Sequence, residues 1–419
     1  MNILLKSAII IDPKSTFHNQ KVDILIINGQ IKAIKSNLEL PDENIELIQL
    51  QNLHVSQGWF DSSVSFGEPG FEERETISNG LNTAAKSGFT ALALQPNTSP
   101  IADNAAAISY VKNKSLGFAT KIYPIGSLTL HGKGIDLAEL FDMHSHHACS
   151  FGNYKQPIKN PNLLKLALQY TQGFGGLVQS YPQNNDVAGK GVVNENKNST
   201  KLGLKGIPNL AEELQIARDL YILEYAGGKL HIPTISTAKS VELIKDAKSK
   251  GLDVSCSAAV HHLFFDDNAL EDFDTNFKLA PPLRTKKDCD ALISGLNDGI
   301  IDMITSDHCP MDIENKQVEF DNAAYGTTGL ESAFSALLTK LPLEVIVDKL
   351  TAARNRFCSI STAIAEGIPA NLSLFTPDGS FIFEKKHIHS TSKNSAFLNQ
   401  KLKGKVYGIY ANNQLVLND

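Results

Sequence analysis

Asp307, His308 and Cys309 stand in a row and put a carboxylate, an imidazole and a thiol side by side. Such a set offers general acid and base chemistry, or a thiol nucleophile with its base. Neighbours on a strand face opposite ways, so Cys309 is expected as small apolar filler and not as a nucleophile served by His308. A second polar run, Asp61-Ser62-Ser63-Val64-Ser65, sets hydroxyls at alternate positions, on one face of an extended segment. Ser63 or Ser65 can donate to a carboxylate such as Asp307, which makes a structural role for that acid the first expectation. The densest histidine cluster, His144-Ser145-His146-His147, has no zinc-ligand spacing and reads as surface. His131-Gly132-Lys133-Gly134 lacks the frame of a phosphate loop and reads as an ordinary turn.

These side chains need elements to hold them, and the composition bounds what those are. The chain has 419 residues, 42% hydrophobic and 20% charged, which suits one large globular domain and a small one. Its 39 basic and 45 acidic residues give a formal net charge of -6. No basic block is dense enough to follow a phosphate backbone, which argues against nucleic acid. No apolar run approaches the ~20 residues of a membrane span, and Met1 to Asp12 has no signal-peptide pattern, so a cytoplasmic protein with no membrane contact is expected. The five cysteines are scattered with no Cys-x-x-Cys pair, against both a disulfide framework and a zinc knuckle.

The first fifty or so residues read as short strands and tight turns, with Lys21 to Asn28 and Gln30 to Ile34 separated by Gly29. From Gln57, short apolar stretches alternate with helix-length segments. Eight of them can be parallel strands: Trp59 to Ser63, Thr90 to Leu94, Lys121 to Ile125, His147 to Ser150, Leu177 to Gln179, Leu230 to Thr234, Asp253 to Ser257 and Asp302 to Ser306. Asn209 to Tyr225 reads as a helix whose broad apolar face carries Leu210, Leu214, Ala217, Leu220, Ile222 and Leu223. After Gly367, Asn371 to Phe375, Phe381 to Phe383 and Val406 to Tyr410 read as strands again, with turns at Pro377-Asp378-Gly379 and Asn412-Asn413. The expected fold is α/β, a TIM-like (β/α)8 barrel over residues 56–365, with a small β-sandwich domain composed of residues 1–55 and 366–419.

In such a barrel the reactive groups sit at the carboxyl ends of the strands. There the frame becomes specific: Asp61 to Ser65 with Glu68-Pro69-Gly70, Pro96-Asn97-Thr98, Gly203 to Pro208, Ser236-Thr237-Ala238, His261-His262-Leu263, Pro281-Pro282-Leu283-Arg284, Ser306-Asp307-His308, Gly329-Leu330-Glu331 and Lys401 to Lys405. In this order and spacing the chain resembles the dihydroorotases, amidohydrolases of pyrimidine biosynthesis, over nearly its whole length.

The resemblance implies a binuclear zinc site held by histidines, a bridging acid and a further aspartate. Carried over residue by residue, the histidine positions hold Ser63, Ser65, Ser180 and Thr234, and the segment Cys149 to Tyr154 offers no carboxylate for the bridge. Only the aspartate survives, as a vestigial Asp307. Zinc takes thiolate, imidazole or carboxylate ligands, and neutral hydroxyls are poor replacements, so no metal cofactor is expected. Without one, the attacking water keeps a pKa near ~15.7 instead of ~7. Substrate recognition is eroded too: the family arginine falls at Gly67, an asparagine at Ala280 and a histidine at Met311, while Asn97 is retained.

The resemblance therefore points to a catalytically silent member that acts as a structural or regulatory partner of aspartate transcarbamoylase, with a homodimer expected of the family. Two other readings stay open at this point. One is an active cyclic-amide hydrolase with a rebuilt site using Asp307 and His308. The other is a small-molecule sensor whose pocket is lined by Ser63, Ser65, Asn97, Ser180, Thr234 and Asp307. His261 and His262 are expected to make hydrogen bonds at a loop or helix start, and His231 to pack against the outer helices.

Overall fold

Eight parallel strands follow one another around a barrel: Trp59–Val64, Phe89–Leu94, Lys121–Gly126, Ser150–Phe151, Leu177–Gln179, Lys229–Ile232, Val254–Ala259 and Met303–Thr305. The computed structural model describes residues 1–39, 44–270, 272–358 and 363–418. Outward side chains such as Leu92, Ile122, Val178, Leu230, Cys256 and Ile304 join the core beneath the helices. Inward ones, among them Phe60, Ala91, Ala93, Leu177 and Met303, meet Ala353 and Phe357 of the Ala353–Cys358 helix, which plugs the amino-terminal end. Buried on both faces, the strands are short runs of apolar and small residues, with polar side chains such as Ser63, His231, Ser255 and Thr305 buried among them.

Closure joins the first strand to the last. Val64 bridges His308 in parallel, and Ser65 N–H donates to the His308 carbonyl at 2.8 Å. Asp61 reinforces the seam by accepting from the Ser306 N–H at 2.9 Å and from the Thr305 hydroxyl.

Both chain ends build one hydrogen-bonded sheet. His54–Gln57 lies parallel to Ile3–Ile10 and antiparallel to Leu372–Ile382, and so joins the early strands to Lys401–Ala411 and Gln414–Leu417. Its core holds Ile3, Leu5, Ile24, Ile26, Val55, Leu372 and Leu374. The turns at Asn28-Gly29 and Asn412-Asn413 have φ of 49°, 77°, 49° and 58°, the left-handed pairs that a two-residue hairpin demands.

Three sequence expectations change. The fourth barrel strand is Ser150–Phe151, not His147 to Ser150; the Leu140–Ser145 helix runs up to the histidine cluster, leaving it on the surface. Pro377-Asp378-Gly379 does not end a strand but sits in an irregularity within Leu372–Ile382. The helix is Asn209–Ala226, yet Leu210 and Leu214 face solvent; its inner side carries Ala211, Glu212, Gln215, Ile216, Asp219, Leu220 and Leu223. Buried polar partners for Glu212, Gln215 and Asp219 turn the helix away from its most apolar stripe.

Candidate functional site at the barrel mouth

Asp307 follows the eighth strand in a left-handed backbone conformation, φ 46°, which aims its carboxylate across the mouth. Its Oδ2 lies 2.9 Å from the Nζ of Lys155, and its Oδ1 accepts from Ser63 Oγ at 3.3 Å. Gln95 Nε2 in turn donates to Ser63 Oγ at 3.1 Å. Burial pushes the Asp307 carboxyl above its ordinary value, and the Lys155 ammonium and Ser63 hydroxyl pull it back. Burial works against the Lys155 ammonium, but the Asp307 carboxylate outweighs it and holds Lys155 above its usual value. The two shifts pull opposite ways, the Lys155 direction favouring the ammonium and the Asp307 direction the neutral acid, and the 2.9 Å contact is what pairs them.

The other positions separate. Thr234, φ 49°, is held by its N–H on Ser257 Oγ at 3.0 Å and lines the same small cavity as Ser63 and Asp307. Ser65 accepts from Asn97 Nδ2 at 2.9 Å, and Asn97 belongs to a neighbouring cavity of about 230 Å³ with Ile101, Asn153 and Lys155. Ser180 is turned away: its hydroxyl donates to Asp219 Oδ2 at 2.6 Å, behind the barrel wall. The six residues expected to line one pocket therefore do not form one. The cavity beside Asp307 measures about 10 Å³, with room for about one water.

Lys155, Gln95, Gln179 and Tyr181 also line this mouth, and no motif in the sequence marks them. Gln95 Oε1 and the hydroxyls of Tyr154 and Tyr181 are buried there without a protein partner.

His308 does not pair with Asp307. Its Nδ1 accepts from the N–H groups of Gly329 and Leu330 at 3.2 and 3.4 Å, capping the Leu330–Leu337 helix, and burial pushes the ring down to about 4. An imidazole spent on a helix start is not available as a general base at the mouth. His231 also departs from expectation: it faces the barrel interior, with Nδ1 2.9 Å from Ser255 Oγ and its ring edge-on to Phe357. The left-handed Thr234 breaks strand alternation, so both residues point inward. His262 Nε2 sits 3.1 Å from the Pro281 carbonyl, whereas neither ring nitrogen of His261 has a partner. Among the described residues, no group of three His, Cys, Asp or Glu side chains is placed to hold a metal ion.

The frame segments that persist meet elsewhere. Arg284 donates to Ser236 Oγ at 3.1 Å, Asn194 Oδ1 at 3.0 Å and the Ile207 carbonyl at 2.8 Å. Glu212 accepts from the N–H groups of Ser236 and Thr237 at 2.8 and 3.1 Å and from Ser240 Oγ at 2.6 Å. One buried polar network thus ties Gly203 to Pro208, Ser236 to Ala238 and Pro281 to Arg284 together.

A closed barrel with its mouth at the carboxyl strand ends, joined to a sheet built from both chain ends, is a fold the chain shares with known proteins. Solved structures agree in fold: an L-hydantoinase (dihydropyrimidinase) from Arthrobacter aurescens superposes with a TM-score of 0.87 at 20% identity, covering 99% of this chain and 96% of that one. A D-hydantoinase superposes at 0.83 with 22% identity, over 100% and 96%. A family model described as Dihydro-orotase-like matches residues 54–240. Proteins named dihydroorotase from Pelotomaculum thermopropionicum and Geotalea daltonii are 38% and 35% identical, covering 100% and 96% of this chain and 99% and 96% of theirs. The chain belongs to the dihydroorotase family. No helix among the described residues is long and apolar enough to cross a membrane.

Proposed function

We propose that this chain is a non-catalytic member of its family, one that holds no zinc, hydrolyses no dihydroorotate and works through its surface as a structural or regulatory partner of aspartate transcarbamoylase. The observation that carries the reading is the Lys155 ammonium 2.9 Å from Asp307. Around the one retained carboxylate stand hydroxyls, a carboxamide and a fixed positive charge, and these residues do not fit a zinc ion, which takes thiolate, imidazole or carboxylate and is repelled by an ammonium. Gly67 adds to it. A Cβ there would lie 1.7 Å from the Phe71 carbonyl oxygen, so this loop path has no room for the arginine that would fork onto a substrate carboxylate. The partner follows from the resemblance drawn from the sequence, in which frame outlasts chemistry.

Elemental analysis of protein expressed in zinc-supplemented medium, with dihydroorotate assays in both directions, tests the first half. Zinc far below one equivalent and no turnover are expected; a full equivalent, or turnover abolished by Asp307→Asn, overturns it. Mixing with the host's aspartate transcarbamoylase at micromolar concentration tests the second half. Co-elution on a sizing column is expected, and two separate peaks would remove the partner.

A further inference from the structure

Four of the chain's five arginines face a carboxylate. Arg74 lies 3.6 Å from Asp312, Arg218 2.7 Å from Asp219 and Arg284 3.9 Å from Glu212, and Arg356 pairs with Asp253. Arg354 is the exception: it is 5% exposed, and no carboxylate among the described residues pairs with it.

Its helix, Ala353–Cys358, closes the amino-terminal end of the barrel with Ala353 and Phe357, and Arg354, one position off that face, reaches the start of the second barrel strand. There Nη2 donates to Thr90 Oγ1 at 2.6 Å and to Asn371 Oδ1 at 2.9 Å, both neutral oxygens. Nη1 and Nε have no acceptor among the described residues, and neither is sealed from solvent. The ionisable groups beside the guanidinium bring no negative charge, because burial pushes the Tyr123 hydroxyl and the Cys358 thiol well above their ordinary values and keeps both protonated. Burial works against the guanidinium too, but arginine does not give up its proton in a protein. A positive charge thus stays inside the fold without the partner that a buried charge requires.

Arg354 lines a cavity of about 270 Å³ between the Leu343–Thr351 helix and the loop that follows the Ile3–Ile10 strand. Asp12, Lys14, Gln57, Asp348 and Asn355 add to its polar wall. Asp12 already accepts from three donors, the Ile364 N–H at 2.8 Å, Gln57 Nε2 at 3.1 Å and the Lys14 N–H at 3.1 Å. Asp348 is 61% exposed and lies 3.2 Å from the Nζ of Lys349. Both acids are served elsewhere, yet both would repel a second negative charge on anything that entered.

We infer that this cavity is a binding site for a small monocarboxylate, whose oxygens accept from the unpaired Nη1 or Nε of Arg354. Such a bond is charge-assisted at both ends, and it supplies the counter-charge that the fold leaves out. Asn355, whose carboxamide has no hydrogen bond among the described residues, stands ready to hold the second oxygen or the body of the acid. The walls come from the small sheet and from the barrel, so an occupant ties the two together at the end opposite the mouth. Nothing in the site depends on Asp307 or Lys155.

Calorimetry on the full chain reads the site, with sodium acetate as the probe and sodium chloride at equal ionic strength as the reference. About 100 mM acetate is expected to raise the wild-type melting midpoint by about 2–4 °C over chloride, with a Kd of about 1–10 mM by titration. Arg354→Met is expected to lose the acetate shift. Arg354→Lys keeps the charge and is the variant to read should the methionine variant not fold; it should bind acetate at least about 10-fold more weakly. Inorganic phosphate, with its second charge facing Asp12 and Asp348, is expected to bind more weakly than acetate. A wild type with no acetate shift overturns the inference. So does an equal shift in Arg354→Met, an undiminished affinity in Arg354→Lys, or phosphate that binds more tightly than acetate.

Discussion

The Nζ of Lys155 lies 2.9 Å from Oδ2 of Asp307, with the two side chains 15% and 3% exposed. The loop after the fourth strand thus carries a positive charge to the one carboxylate left at the eighth. A buried carboxylate needs a compensating charge, and here the chain supplies it from its own sequence.

Removing that charge is therefore expected to cost more than removing the pair. Lys155→Met leaves Asp307 buried and unpaired and should lower unfolding free energy by about 3 kcal/mol. Lys155→Met with Asp307→Asn should recover a good part of it. Urea unfolding of the four members of this cycle checks the coupling, and single and double variants of equal stability would mean that the pair does nothing for the fold.

Stability should fall as the solution is acidified below neutrality. Burial depresses His231 and His262 to about 3 and His308 to about 4, from an ordinary 6.5. Each is neutral in the folded chain and gains a proton only on unfolding, so its contribution is intact above pH 6.5 and is lost as pH falls toward the folded value. Asp61 acts the other way: burial pushes it up to about 6, against the hydrogen bonds from Ser306 and Thr305, so below that pH the folded state binds a proton too. Unfolding free energies from urea titrations at pH 7.5 and pH 6 should differ by at least about 1 kcal/mol, steepening with the three histidines at about 1.4 kcal/mol per proton per pH unit. A flat profile over this interval would show that these rings titrate in the folded protein.

The retained frame motifs predict stability effects far from the mouth. Arg284 is 2% exposed and spends its planar fork on Ser236, Asn194 and the Ile207 carbonyl. Arg284→Lys keeps the charge but cannot reach all three, and should lower stability by about 2–4 kcal/mol. The thermal midpoint is the readout; a variant within a degree of the wild type would remove the account of why Pro281 to Arg284 persists.

Local pattern and burial coincide in the barrel strands, which makes those strands legible in the sequence. They are buried on both faces and bounded by turns, and seven lie close to where their residues place them. The fourth shifted because only Ser150 and Phe151 pair, too short a run to show a period. Lys155 is not legible in the sequence, because a loop lysine reads as solvated until tertiary structure buries it. Hydrophobicity alone puts Leu210 and Leu214 on the apolar face, whereas Glu212 and Asp219, with buried partners, decide which side faces the barrel. Strand alternation from Thr234 turns His231 outward, and the left-handed Thr234 interrupts that alternation.

Putting the histidines back should not restore the family's activity. Ser63→His, Ser65→His, Ser180→His and Thr234→His together supply imidazoles, but the Ser180 position projects toward Asp219 behind the wall, and the Lys155 ammonium still occupies the side of Asp307 that a cation would need. Room is lacking as well, since the cavity beside Asp307 holds about one water, and an imidazole displaces far more. The arginine is a separate obstacle: even Gly67→Ala, with its Cβ driven onto the Phe71 carbonyl, should cost at least about 2 kcal/mol. Elemental analysis and a dihydroorotate assay on the fourfold variant check this. Adding Lys155→Asp to the four histidines is the one step expected to raise zinc content, because it replaces a repelling charge by a ligand. If the fourfold variant alone bound two zinc ions and turned over dihydroorotate, then the lost imidazoles would be the whole difference and Lys155 a bystander.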